Sequence, residues 1–350
     1  MITREEYLKI PLKERFIKLD KVEEERAEEL HRKIITIDLH SHILWGNYFI
    51  LPRIMNSGVS GFVEAVPGVF GDFDVAMAYL GQFLFRVNKH KEFTPVYQAQ
   101  DFRKAKKDKK IGVMFQLEPQ PFGRNLDNVD IAYGHGIRMA LLTFNSRNYV
   151  GDGCGERTDE GLSYFGLDLV ERMNNVGMMI DLSHVGVKTT LDTIENSKDP
   201  VMCNHVGARS LYPQCKRIKT DEELKALAEK DGVAGVSAIP NQLSGDKEQG
   251  IENLLDHVDY MVNLIGINHV AIGLDNVFGD QVESHRRSAQ TVFKISYIGQ
   301  ELNAPFMWGI ESPEEWPNIT RGLVQRGYSD EEIEKILGEN SLKLMERVIG

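Results

Sequence analysis

The reading of the fold turns on Ile34-Ile35-Thr36-Ile37-Asp38-Leu39-His40-Ser41-His42. Its first six residues, Ile34 to Leu39, form an apolar, β-branched run that ends abruptly in polar side chains. A short run of this kind, without strict alternation, predicts a strand buried on both faces, as in a parallel sheet. The pattern recurs at Phe62–Val66, Ile111–Leu117, Ile137–Phe144, Met178–Leu182, Val201–Asn204, Val233–Ala238 and Val270–Leu274, so with the first there are eight candidate strands. The segments between them read as helices. Glu160–Asn175 runs into Gly177 as a stop, and Thr220-x-x-Glu223 is a capping box opening a helix that stops near Gly232. Asn253–Ile265 and Ser329–Leu337 follow the same grammar. Strands alternating with helices mean a parallel α/β fold, and eight repeats predict a closed (β/α)8 barrel of the TIM type. The expected organisation is a charged helical extension over residues 1–33, broken near Pro11, and one barrel domain over residues 34–350. A long insertion follows the second strand, from about Pro67 to Lys110.

Chemistry in such a barrel collects at the C-terminal ends of the strands. Here those ends carry His40 and His42, then Glu118, Asp181-Leu182-Ser183-His184, Asn204-His205 and Asp275. A lone buried histidine is more often a satisfied core residue than a ligand. Four of the ten histidines at strand ends, with carboxylates at two others, are hard to explain as packing. Histidine mixed with carboxylate suits zinc or a similar borderline metal, whereas magnesium and calcium prefer all-oxygen sites. His40 and His42 are two apart, so on a persisting strand both face one side. Two ions bridged by a carboxylate would polarise a carbonyl and lower the pKa of water, with Asp275 placed to carry the proton. Gly151-x-Gly153-x-Gly155 lacks the G-K-[ST] ending of a phosphate loop and reads as a flexible loop at the site. Neither Ser41 nor Ser183 lies in a G-x-S-x-G elbow, which argues against a serine hydrolase.

The bulk composition agrees. The chain has 350 residues, 42% hydrophobic and 27% charged, ample for a large core. A net charge of −11 argues against nucleic-acid or anionic-membrane partners. The basic run from Lys104 to Lys110 reads as a solvated helix end. Three cysteines, Cys154, Cys203 and Cys215, have neither the density of a disulfide scaffold nor C-x-x-C spacing. With no apolar run of membrane-spanning length and no secretory leader pattern, the expected location is the cytoplasm.

Taken together, these segments resemble the membrane (renal, microsomal) dipeptidase family of metal-dependent amidohydrolase-like barrels, from about Ile34 to Arg347. The likeness is carried by Ile37-Asp38-Leu39-His40, Gln116-Leu117-Glu118, Gly177 through His184, Pro200 through His205, and Gly266 through Asp275. The resemblance implies that His40 binds one zinc, Glu118 bridges two, and His184 and His205 bind the second. It also implies that Asp275 carries the proton and that Arg217 holds a substrate carboxylate. Arg217 is reached with one extra residue, so Lys216 is its substitute candidate. Two departures stand out. The family pattern H-x-D is H-x-H here, with His42 as a metal ligand in place of an aspartate. Asn145 stands where the family has a histidine that polarises the scissile carbonyl. The expected function is therefore a binuclear zinc hydrolase of amide bonds, a dipeptidase acting on a small carboxylate-bearing substrate, and the family habit implies a homodimer. The alternatives are a relative with another amide or lactam substrate and a catalytically inactive metal-binding barrel.

Overall fold

The computed structural model describes residues 2–45, 51–67, 72–118, 122–275 and 303–350. All eight predicted strands are present: β1 (Ile37–Ser41), β2 (Gly61–Val66), β4 (Ile111–Leu117), β5 (Ile137–Leu141), β6 (Met179–Asp181), β7 (Met202–Val206), β8 (Val233–Val236) and β10 (Val270–Ile272). They pair in parallel in the order β1-β2-β4-β5-β6-β7-β8-β10. The seam between β10 and β1 is closed by single bonds rather than a ladder. The amide of Asp275 donates to the His40 carbonyl at 3.0 Å, and the amide of Leu274 donates to the Asp38 carboxylate at 2.8 Å. The result is a nearly closed barrel.

The insertion after β2 holds the Phe73–Lys89 helix, a short strand β3 (Phe93–Pro95) that pairs with β4, and the Ala99–Lys107 helix. Two strands, β9 (Gln249–Gly250) and β11 (Met307–Trp308), form a separate small ladder. The first 33 residues are helical as expected, over Arg4–Tyr7, Leu12–Arg15 and Lys21–Lys33, with Pro11 as the break. They are strapped to the C-terminal segment by Tyr7 and Arg15 on Glu315 and by Arg321 on Glu24. Among the described residues no helix is long and apolar enough to cross a membrane.

Boundaries differ where the chain must change direction. Ile34 is not in β1; its amide caps the Lys21–Lys33 helix by donating to Leu30, so the strand starts three residues later. Gly177 closes the Tyr164–Val176 helix with φ of 76°, the left-handed cap that its position suggested. Thr220 and Glu223 form the expected capping box of the Asp221–Glu229 helix.

Side-chain alternation divides the barrel strands into two faces. Val63, Met114, Met139, Met179, Met202, Val233 and Ala271 share one inner cluster with Ile37 and Leu39, closed off below by Leu342 and Met345 of the last helix. Phe62, Val113, Phe115, Ile180, Cys203, Ala234 and Val270 point outward into the helix layer. Two residues beyond Met114, Met179 and Met202 come Gln116, Asp181 and Asn204, whereas Leu141 follows Met139, so on three strands the interior turns from apolar to polar within one step of the pleat. Beyond Val233 and Ala271 the corresponding positions are Gly235 and Gly273. A Cβ at either would run into the Asn204 carbonyl oxygen.

That crowding makes a clear prediction. Gly273→Ala should cost about 1–3 kcal/mol or more, the usual penalty of overpacking a filled core. Gly81→Ala, in the Phe73–Lys89 helix where a Cβ meets nothing within 4 Å, should instead stabilise by about 0.5–1 kcal/mol. Urea denaturation of both variants checks the contrast; equal stabilities would show that the interior has room to give.

Candidate metal centre

Strict alternation would send His40 and His205 outward, opposite to Leu39 and Asn204. Each instead sits at a register shift. Between Asp38 and Ser41, β1 advances three residues while β2 advances two; between Cys203 and Val206, β7 does the same against β8. A bulge of this kind adds one residue and re-aims a side chain. Both imidazoles thereby turn into the barrel mouth, where their rings stack at 3.8 Å between centroids. His42 lies just past β1, its ring edge-on to His40 at 5.0 Å and to Trp45 at 4.5 Å. The turn that carries it is pinned by Glu64, whose buried carboxylate accepts the amides of Ile43 and Leu44.

Three of the four histidines have their Nδ1 atoms on side-chain amide oxygens. His40 Nδ1 meets Gln116 Oε1 at 3.2 Å, His184 Nδ1 meets Asn145 Oδ1 at 2.8 Å, and His205 Nδ1 meets Asn204 Oδ1. An amide oxygen can only accept, so each Nδ1 carries the proton and each Nε2 turns a lone pair inward. The amides are themselves fixed. Asn204 Nδ2 donates to Gln116 Oε1 at 2.6 Å and to the Leu39 carbonyl at 2.9 Å, and Gln116 Nε2 donates to Asp181 at 2.8 Å. Asp181 also accepts from the Ser183 hydroxyl and from the amides of Ser183 and Asn204.

The inward atoms converge on Asp275. Its Oδ1 lies 3.0 Å from His42 Nε2 and 3.6 Å from His40 Nε2, and its Oδ2 lies 3.8 Å from His205 Nε2. One ligand atom each from His40, His42 and Asp275 falls within a 4.8 Å cluster. His184 Nε2 and His205 Nε2 are 3.0 Å apart. Two lone pairs at that distance repel unless a cation lies between them or beside both, and the Nδ1 atom of His42 is buried with no partner among the described residues. The donor set therefore fits a divalent metal: three imidazoles of fixed tautomer, each held by an outer hydrogen bond, with His42 and a carboxylate beside them.

Burial sets the protonation states. It pushes His40 down to about 3 despite the charge of Asp275, and it holds His205 well below the ordinary histidine range, helped by the neighbouring His40. Burial also works against charging His42, but the hydrogen bond and charge of Asp275, with Glu118 and Glu64 behind it, prevail and raise His42 to about 9. Glu118, buried just past β4, is pushed up to about 7 by burial, with His42 pulling it down and Asp275 pushing it up.

The remaining predicted residues lie around this centre. Asn145 holds His184 as described. The Gly151–Gly155 loop is packed rather than flexible: Gly153 pairs with Val185, and a Cβ on it would strike the Asn145 backbone. Arg217 is buried, and its terminal nitrogens donate to the carbonyls of Ser183 at 2.6 Å and His205 at 3.0 Å. The expected open guanidinium fork is thus partly occupied as a clamp on the two strand ends that carry His184 and His205. Lys216 is exposed and takes no part in this arrangement. Gln116, Asn204 and Asp181 as orienting groups, and Glu64 as a turn anchor, had no role in the sequence reading. A polar residue two positions beyond an inward methionine was the available signal for the first three.

A parallel barrel with histidines and carboxylates converging at the strand mouths is the architecture of the metal-dependent hydrolases. Within that class the chain belongs to the membrane dipeptidase family, peptidase family M19, whose family model matches residues 82–288. It is 32% identical over 216 residues to dipeptidase tcpJ of Claviceps purpurea, a match covering 61% of this chain and 45% of that protein. It is 27% identical over 290 residues to dipeptidase verJ of Clonostachys rogersoniana, covering 81% and 66%. The chain thus spans about half the length of the first of these relatives and two thirds of the second. A solved structure of an amidohydrolase from Pseudomonas aeruginosa superposes with a TM-score of 0.85 at 29% identity, covering 93% of this chain and 99% of that one.

Stripped of metal by chelation, the protein should show the protonation pattern in its stability. His42, raised from 6.5 to about 9, contributes stability that is complete below pH 6.5 and lost as pH rises through 9. Glu64, raised from 4.5 to about 8 chiefly by burial, acts with the same sign, its contribution being lost as pH rises through 8. Thermal denaturation of the chelated protein should show Tm falling from pH 7 to pH 9. The metal-loaded protein should fall less, because ligation favours neutral imidazole. A chelated protein whose Tm rises over that range contradicts the assignment.

Proposed function

We propose that the protein is a metal-dependent dipeptidase that hydrolyses the amide bond of a small, carboxylate-bearing substrate. The observation that carries this reading is the convergence of the His40, His42 and His205 Nε2 atoms on Asp275, with His184 Nε2 beside His205, in a chain of the membrane dipeptidase family. We assign the metal to zinc, in two ions, with His40, His42, Glu118, His184 and His205 as ligands. Divalent ions bound there supply Lewis acidity toward the scissile carbonyl and make water nucleophilic near neutral pH.

The chain's own groups account for the rest. Asp275 sits among three imidazoles, with φ of 58°, in a left-handed turn that aims its carboxylate into the mouth. From there it takes the proton of the attacking water and delivers it to the departing amine. Arg217 uses two of its five N–H donors on backbone carbonyls, which leaves it donors for a substrate carboxylate. Asn145 cannot carry a proton as a histidine would, and His42 replaces a negative ligand by a neutral one. Both departures favour a narrower substrate than a general dipeptidase accepts, and they are the observation behind a second reading, hydrolysis of another amide or of a lactam. Three cysteines, none of them in a disulfide, support placing the protein in a reducing compartment, the cytoplasm.

Elemental analysis together with turnover of a panel of L-L, L-D and N-acyl dipeptides and lactams tests the proposal. Asp275→Asn should lower kcat by about 10²–10⁴-fold, the usual worth of general acid–base catalysis, with metal content near that of the parent. Full activity in this variant removes Asp275 from the reaction. Arg217→Lys should raise KM for substrates with a free carboxylate and spare their amidated counterparts. Equal losses on both would leave Arg217 only its clamping role.

A further inference from the structure

We propose that Asn145 is a positioning residue for His184, fixing the face and tautomer of this imidazole for metal, rather than a group that acts mainly on substrate. The inference rests on the metal-hydrolase reading and adds a role for this residue. Four observations carry it. The Oδ1 atom of Asn145 accepts from His184 Nδ1 at 2.8 Å and from the Cys154 thiol at 3.1 Å, so the amide is held oxygen-first toward the imidazole. Asn145 has φ of 49°, a left-handed conformation that asparagine tolerates better than most residues, and this kink turns its side chain back toward β6 and its following loop. The preceding residue grips the same imidazole from its face: the Phe144 ring stacks on His184 at 4.0 Å and 20°. The kink is braced from outside, because the amide of Gly155 donates to the Asn145 carbonyl at 2.8 Å and Gly153 presses against the Asn145 backbone too closely for a side chain.

Chemistry gives this arrangement a purpose. His40 and His205 are oriented by Gln116 and Asn204, amides rooted in the barrel strands. His184 lies after the end of β6, and the loop after β5 reaches over to provide it with the Asn145 amide. All three orienting groups are then neutral amides. They set the tautomer without lending the imidazoles the extra basicity that carboxylate partners would. The Gly151–Gly155 loop becomes part of the metal centre, as the brace of the residue that aims a ligand.

Metal affinity, rather than activity, tests the proposal. Zinc dissociation constants would be measured by chelator competition for the parent, Asn145→Gly, Asn145→Asp and His184→Ala, with cobalt-substituted absorption spectra as a second readout. Glycine suits φ of 49° and removes the whole carboxamide, so Asn145→Gly should keep the fold of the chelated protein, checked by circular dichroism. It should nevertheless weaken binding of one ion by about 10–100-fold, the usual worth of an outer partner of a ligating histidine, and shift the cobalt spectrum. Asn145→Asp, which keeps an acceptor, should restore both. If Asn145→Gly binds zinc as tightly as the parent and only raises KM, Asn145 is a substrate contact and the inference falls. If His184→Ala also binds zinc like the parent, the metal reading itself fails, a result distinct from the first.

Discussion

Everything at the mouth of this barrel depends on the side chain of Asn204. Its amide nitrogen ties the Leu39 carbonyl of β1 to Gln116 of β4, its oxygen takes the Nδ1 proton of His205, and its own carbonyl fills the space left by Gly235 and Gly273. One residue therefore joins strands from opposite sides of the barrel and sets the orientation of two of the converging histidines, one directly and one through Gln116. Such a network is stable only because each member is satisfied, since an unpaired polar group at this depth would cost about 1–3 kcal/mol. Asp181 completes it by accepting three hydrogen bonds from the Ser183 and Asn204 region.

The layering of the interior follows from the same constraint. Methionines fill the lower barrel, where their flexible thioethers close an irregular space, and the last helix seals them from below. One pleat higher the interior becomes polar, and one step beyond that come the imidazoles. Apolar packing, orienting amides and converging ligands are thus stacked along the barrel axis. The apolar floor keeps water from competing for the amides, and the amides keep the imidazoles from turning. The charge of Asp275 is placed among the imidazoles of His40, His42 and His205.

Family membership and this site support each other without being the same argument. The match establishes a barrel of the membrane dipeptidase type. The hydrogen bonds show how this particular chain builds its centre, with a buried nitrogen of His42 that has no partner among the described residues and an asparagine aimed at His184.

Much was legible in the sequence because strand burial and strand ends are local properties. Eight apolar runs, each closing on polar residues, determine a parallel barrel, and the residue types at those ends determine metal chemistry. His40, His42, Glu118, His184, His205 and Asp275 all follow from that pattern. The tertiary structure alone decided how they are aimed. The bulges that turn His40 and His205 inward are register relations between two strands and leave no mark in either strand by itself. Gln116 and Asn145 become orienting groups only because residues 76 and 39 positions away meet them in space, and the Asn204 amide beside His205 is held by Gln116 and Leu39, 88 and 165 positions away. Arg217 became a clamp on two carbonyls for the same reason. Periodicity reports which face of one element is buried, whereas a hydrogen bond between elements depends on where both have been placed, and that is settled only when the barrel closes.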